Sequence, residues 1–275
     1  MPLPDEGPDI GKLQSRVAEL ERELARVQKE RAEYLQNVSH QLVAPLNAIK
    51  WHIENLTSGR LGVDRAKKVL RSVYSQATIA VHLAKNFALM SNLEGDHALA
   101  SLKEPLQEVD LCRLAINLAD DFQPQGWERE IQIKVDDAQL GEAPPVLAMK
   151  PLISQVFSNI IENAVKYSHD GTLIQIAGLH DKSTNTVVVE VANRGIGVDS
   201  KETDLVFERA YRSERAKNKY PAGTGFGLYI AKKIVDLHEG TIEAYTDERG
   251  FTVFAVTLPV SALEGKARVV QRSRA

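Results

Sequence analysis

Residues 154–168 read SQVFSNIIENAVKYS. Pro151, just upstream, suits the first turn of a helix, where its missing N–H would be unbonded anyway. PLISQVFSNIIENAVKY (151–167) is therefore expected to be helical. Val156, Ile160 and Ala164 make an apolar stripe, yet Asn159, Asn163, Lys166 and Tyr167 share one side of the helix at spacings of four, three and one. Asparagine in apolar surroundings is costly unless it bonds something. Asn163 offers an oxygen suited to Mg2+, Lys166 a phosphate contact and Tyr167 a flat face for a base. Hard, oxygen-based coordination suits a metal–triphosphate complex.

Two glycine stretches follow, NRGIGVD (193–199) and GTGFGLYIAKK (223–233), the second running straight into a helix. Closely spaced glycines let backbone N–H groups approach an anion, and a helix N-terminus adds a partial positive charge. Taken singly, either stretch is equally a tight strand-to-helix turn. Around them LCRLAINLADDF (111–122) and GFGLYIAKKIVDLH (225–238) read as helices. IQIKV (131–135), TLIQIAGL (172–179) and TVVVEVAN (186–193) read as strands, and GTIEAYTD and FTVFAVTL (240–258) as a closing hairpin.

The first hundred residues have another character. Leu13, Val17, Leu20, Leu24 and Val27, then Tyr34, Val38, Leu42, Ile49, Ile53 and Leu56, fall at spacings of three, four or their sum of seven, a coiled-coil seam. Arg31 takes the seam position between Val27 and Tyr34 and should loosen the coil there. TSGRLGVDR (57–65) is a polar break short enough for an antiparallel hairpin. A second helix follows, with Val69, Val73, Ala77, Ala80, Ala84 and Phe87 on one face. Two such hairpins would complete a four-helix bundle.

With 34 basic and 37 acidic residues the net charge is −3, which gives no general drive toward nucleic acid or anionic membrane. One cysteine, Cys112, excludes an internal disulfide and a thiolate metal cage. The histidines at 40, 52, 82, 97, 169, 180 and 238 lack metal-ligand spacing. No apolar run reaches membrane-spanning length, and residues 1–10 lack the regions of a signal peptide. A cytoplasmic chain is expected, either whole or as the cytosolic piece of a longer receptor.

SQVFSNIIENAVKYS, NRGIGV, VFERAYRSE and GTGFGL, in that order, resemble the N, G1, F and G2 boxes of sensor histidine kinases. YLQNVSHQLVAPLNAI in the helical half resembles the H box, so the resemblance covers roughly residues 30–258 with five motifs in order. It implies an α+β fold: an N-terminal coiled coil and helical hairpin forming a dimeric four-helix bundle, followed by a GHKL-type α/β sandwich. Boundaries are expected at 1–10 for a flexible terminus, 11–33 for the signal helix, and 34–94 for the phosphotransfer hairpin. A linker at 95–105, a catalytic domain at 106–260 and a tail at 261–275 complete the chain.

The resemblance further implies Mg2+ and ATP, a homodimer, and a response-regulator aspartate as receiver. His40 would be the phosphorylated residue, flanked by Gln41. Asn163 would hold Mg2+, with Asn159 assisting; Lys166 would meet phosphate oxygens, and Tyr167 would lie near the base. Gly195 and Gly197 would shape the adenine side beside Asn193. Gly223, Thr224, Gly225, Gly227 and Leu228 would form the phosphate-wrapping turn. Phe207 would anchor a lid whose cations include Arg209, Arg212, Arg215, Lys217 and Lys219.

Several positions depart from that pattern. Asn193 replaces the usual aspartate, but an amide oxygen still accepts from an adenine amine. Asn159 stands where related gyrase- and chaperone-type ATPases carry a glutamate base, which argues for transfer to an acceptor rather than hydrolysis. Glu162 is discounted as a substitute because it projects about 100° from Asn163 around the helix. Gln41 accepts a hydrogen bond but takes no proton at neutral pH, a loss typically worth on the order of a hundredfold. Ala44 lacks the hydroxyl or amide that positions phosphatase water in the family, and Val43 replaces an arginine. Pro45 removes a helical hydrogen bond to the Gln41 carbonyl and loosens the helix one turn past His40.

These residues favour a kinase with slowed autophosphorylation and weakened phosphatase activity. The alternatives are a regulatory pseudokinase that binds ATP without phosphotransfer and, disfavoured by Asn159, a pure ATPase switch. Outward residues after His40, Asn47, Lys50, Trp51 and Glu54, are candidates for docking a receiver domain.

Overall fold

The computed structural model describes residues 10–57, 62–93, 105–221 and 223–260. The expected N-terminal segment and linker fall outside the described residues except for Ile10 and Pro105, and the expected tail falls wholly outside them. The coiled-coil pattern and its continuation become one helix, α1 (Ile10–Thr57), of 48 residues with Pro45 inside it. At about 1.5 Å per residue it is about 70 Å long. Helix α2 (Val63–Leu93) packs along it. Val17, Leu20, Leu24 and Val27 remain 49–58% exposed on α1, because α2, with 31 residues against 48, runs back along α1 only to about that point. No described helix is long and apolar enough to cross a membrane.

The second half is an α/β sandwich. Its elements are β1 (Gln107–Val109), α3 (Leu111–Trp127), β2 (Gln132–Val135), α4 (Asp137–Leu140), β3 (Val146–Ala148) and α5 (Lys150–Tyr167). They continue as β4 (Leu173–Asp181), β5 (Thr186–Asn193), a 3-10 turn (Leu205–Phe207), α6 (Glu214–Lys219), α7 (Gly227–Leu237), β6 (Thr241–Thr246) and β7 (Thr252–Pro259). Five strands make a mixed sheet in the order β2-β4-β5-β7-β6, parallel only between β2 and β4. The strands read from the sequence sit within about two residues of these bounds. The short β1–β3 pair has too few residues to carry an alternation signal.

Alternation decides which face of the sheet is covered. In β5, Val187, Val189 and Val191 are buried while their neighbours are half-buried, so one face meets the helical layer of α3, α5 and α7. Helix α5 lies at the centre of that layer. Ile153, Val156, Ile160 and Ile161 are 0% exposed, and the helix is buried on several sides rather than along one stripe. Such a helix takes a polar side only where the packing opens, and the opening is where α5 approaches the G2 turn. Asp110 caps α3 by accepting from the Arg113 amide at 2.9 Å.

Hairpin α1–α2 rests on the sandwich through α2. Tyr74 donates to Asp121 at 3.3 Å and Ser72 to Glu128 at 2.9 Å. The Arg71 guanidinium lies 5.1 Å from the Trp127 ring, and the His82 ring lies 5.0 Å from Phe122.

Candidate nucleotide site

An open cleft lies between α5, the end of β5, the loops that follow it and the start of α7. It gathers Asn159, Asn163, Lys166 and Tyr167 from α5, Asn193 from β5, and Gly197, Arg212, Gly223, Thr224, Gly225, Gly227 and Leu228 from the loops. Gln41 of α1 lines it too, together with Leu83 and Asn86 of α2. His40 is exposed beside Gln41 and is not part of the lining. Gly195 also lies outside the lining: it bridges to Ser168, and a Cβ there would collide with the Tyr167 carbonyl oxygen.

The two α5 asparagines differ in their surroundings. Asn159 is 1% exposed. Its Oδ1 accepts from Asn86 Nδ2 at 2.9 Å and Gln155 Nε2 at 3.1 Å, and its Nδ2 donates to the Gly227 carbonyl at 2.9 Å. Both lone pairs of the oxygen are engaged, so in this arrangement Asn159 braces the G2 turn against α2 and has no oxygen to offer a metal. Asn163, one turn later and half-buried, has no side-chain partner among the described residues and faces the cleft. Its carbonyl oxygen fits a hard divalent cation.

Glu162 corrects the helical projection. It lines the same cleft, 6% exposed, with its carboxylate 2.8 Å from Lys166 Nζ. The cleft wraps around the end of α5, and a three-carbon side chain reaches over an arc that a wheel drawn at Cα omits. Burial opposes the charge on Lys166, but Glu162, helped by Tyr220 and Tyr167, outweighs it and raises the ammonium above its usual range. Lys166 also stands 5.3 Å from the Tyr220 ring. Among the described residues there is no cluster of three or more histidines, cysteines or carboxylates able to hold a metal.

Asn193, 2% exposed, ends β5 beside Thr252 of β7, which also lines the cleft. Its Nδ2 donates to Ser168 Oγ at 3.1 Å, and that hydroxyl donates to the Ala164 carbonyl at 2.6 Å. With the amide oriented by Ser168, Oδ1 is the atom turned to acceptor duty. Ser168 and Thr252 were not singled out from the sequence. Their pairing comes from strand register and a helix end that no local pattern encodes.

The lid cations are mostly engaged. Arg212 Nη1 donates to the carbonyls of Pro221 and Gly223 at 2.8 and 2.9 Å, and Nη2 to those of Ala216, at 3.1 Å, and Tyr220. It is a clip holding the α6 loop to the G2 turn. Arg215 donates to the Ile196 carbonyl at 3.1 Å and stands 3.8 and 3.7 Å from Asp199 and Glu202. Lys217 pairs with Glu214 at 2.6 Å, Arg209 lies 5.9 Å from the Phe226 ring, and Lys219 is exposed. Phe207 is 5% exposed and meets Phe254 edge-on at 6.5 Å, so the 3-10 turn is fixed to the core. Gly225 has φ +74°, and a Cβ would stand 2.7 Å from backbone atoms of Ala210 and Tyr211.

Residues 149–262 match the family described as Histidine kinase-, DNA gyrase B-, and HSP90-like ATPase. Those residues are thus similar to the ATP-binding domains of that family, and the longer stretch is similar to sensor histidine kinases. It is 28% identical over 247 residues to the sensor protein kinase WalK of Staphylococcus saprophyticus, covering 88% of this chain and 38% of that protein. With the sensor histidine kinase WalK of Bacillus subtilis it is 28% identical over 245 residues, 86% of this chain and 38% of that one. The chain therefore spans less than two fifths of the length of these relatives. In fold it resembles full-length ShkA in complex with AMPPNP, with a TM-score of 0.55 at 20% identity over 84% of this chain and 46% of that one. It also resembles the Acinetobacter baumannii histidine kinase AdeS, with a TM-score of 0.51 at 18% identity over 80% of this chain and 98% of that one.

Proposed function

We propose that the protein is an ATP-dependent protein-histidine kinase that phosphorylates His40 and passes the phosphoryl group to a response-regulator aspartate, with weakened phosphatase activity. The observation that carries this reading is Gln41, the neighbour of an exposed histidine, lining the cleft that holds Asn163, Lys166 and the G2 glycines. A histidine beside a nucleotide cleft is placed to receive a phosphoryl group, since that chemistry needs chiefly positioning and charge neutralisation.

Within the cleft, Asn193 Oδ1 would accept from the adenine amine and Tyr167 would lie near the base. Lys166 would neutralise phosphate oxygens once an anion competes with Glu162 for it. The turn from Gly223 to Leu228, at the N-terminus of α7, would wrap the phosphates. Mg2+ would be held by Asn163 and would supply charge neutralisation on the phosphates. Asn159 would act by holding the Gly227 carbonyl rather than as a ligand. The exposed seam of Val17, Leu20, Leu24 and Val27 supports a homodimer, and exposed Trp51 and Lys50 support receiver docking near His40.

Two observations favour a second reading, a pseudokinase scaffold. Gln41 is no base, and the Asn159 amide is tied to α2. Incubation with γ-labelled ATP and Mg2+ beside His40→Ala separates the two. Acid-labile label on the wild type alone establishes the kinase; ATP binding without label over hours establishes the scaffold.

A further inference from the structure

We infer that His40 is phosphorylated from the cleft of its own chain, not from that of a dimer partner. The inference rests on the protein-histidine kinase reading above. It follows from which helices wall the cleft. Gln41 of α1 and Leu83 and Asn86 of α2 line it alongside the nucleotide residues of the same chain.

The hairpin is held there by contacts spread along α2. Asn86 donates to Asn159 and accepts from Gln155 Nε2, both at 2.9 Å. Fifteen residues earlier, about 22 Å along the helix, Arg71 covers Trp127 and Ser72 donates to Glu128. His82 against Phe122 fills the middle. Two ends and a centre fix both the position and the direction of the helix against its own catalytic domain.

His40 is one residue from Gln41, with Cα atoms about 3.8 Å apart, and its side chain stands about 100° further round the helix, so a rotation of α1 by about that angle carries the imidazole to the cleft mouth. Pro45, which interrupts the helical hydrogen bonds just beyond, gives α1 its freedom to make that turn. To reach a second chain's cleft, Gln41 would have to leave its own, and α2 would have to break the Asn86 contacts.

In the step itself a ring nitrogen of neutral His40 bonds to the γ-phosphorus of ATP. The bond from that phosphorus to the β,γ-bridging oxygen breaks, and ADP leaves with the electron pair. The ring proton passes to water, which reaches exposed His40 and does what Gln41 cannot.

The test pairs two variants, His40→Ala and Asn163→Ala, carrying different tags and co-expressed, then purified through both tags and given γ-labelled ATP. The expected result is no label on either chain, while wild type paired with Asn163→Ala labels the wild-type chain alone. Label on the Asn163→Ala chain in either pair overturns the inference, as does an unlabelled wild-type chain in the second pair. Recovery of no mixed pair supports it only where wild type runs as a monomer on gel filtration and labels at a rate per chain independent of its concentration; a rate that rises with concentration overturns it. Wild type that never labels by itself overturns the kinase reading instead.

Discussion

Asn86 Nδ2 of α2 lies 2.9 Å from Asn159 Oδ1 of α5, and Gln155 joins them, so three amides bind the helical hairpin to the nucleotide domain. Each such bond contributes about 0.5–1.5 kcal/mol net. In a double-mutant cycle of Asn86→Ala and Asn159→Ala, urea unfolding is expected to give a coupling of about 1 kcal/mol. Additive losses would mean that the two side chains do not meet.

Gly225 and Gly250 both have positive φ, +74° and +81°, but only Gly225 is hemmed in by backbone. Gly225→Ala is expected to distort the G2 turn and weaken binding of a fluorescent ATP analogue at least tenfold. Gly250→Ala, with open space around it, should cost about 1 kcal/mol of stability and leave nucleotide affinity unchanged.

Gln41→Glu introduces a carboxylate at a position that lines the cleft beside His40. The initial rate of His40 labelling should rise about tenfold to a hundredfold. The new rate should also acquire a dependence on a carboxylate pKa. A rate equal to wild type would show that proton removal does not limit the step.

Arg212 donates to four backbone carbonyls, a geometry that only the guanidinium fork supplies. Arg212→Lys keeps the charge and loses the fork. Limited proteolysis is expected to open the 213–223 loop several-fold faster in the variant. Nucleotide is expected to slow that cleavage in wild type more than in the variant. Equal cleavage rates without nucleotide would remove the clip.

His238 is 1% exposed, accepting from the Met149 amide at 3.1 Å through Nε2 and bonding the Ile234 carbonyl at 2.7 Å through Nδ1. Burial lowers its pKa, against a smaller opposing effect of the Ile234 carbonyl. A base with a depressed folded pKa is less protonated folded than unfolded. Its contribution to stability is therefore full above the ordinary imidazole value of about 6.5 and is lost as pH falls through that value toward the folded pKa. Thermal unfolding should show a lower midpoint at pH 5.5 than at pH 7.5. His238→Gln should flatten the part of this fall that His82, also held low by burial, does not cause.

The strands and the long helices were legible because their signals are local. TVVVEVAN alternates at period two and becomes β5 over its full length. The apolar run 151–167 is a helix within one residue. Asn163, Lys166 and Tyr167 were identifiable because polar groups on a buried helix need a reason to be there. Thr252 and Ser168 carry no local signal, and Glu162 is discounted on the helical wheel, because each gains its place from a neighbour far along the chain or from the shape of the cleft.

Periodicity, glycine placement and the order of five motifs are properties of the chain itself, and they determined two unlike halves joined in sequence, with a histidine in one and the paired glycine stretches in the other. Only the tertiary structure decided that Gln41 and Asn86 wall that cleft, that Asn159 is a brace, and that Arg212 is a clip. A side chain's spacing fixes which face it occupies, but the partner it meets across the fold depends on how the helices pack, and that is set by the whole core at once.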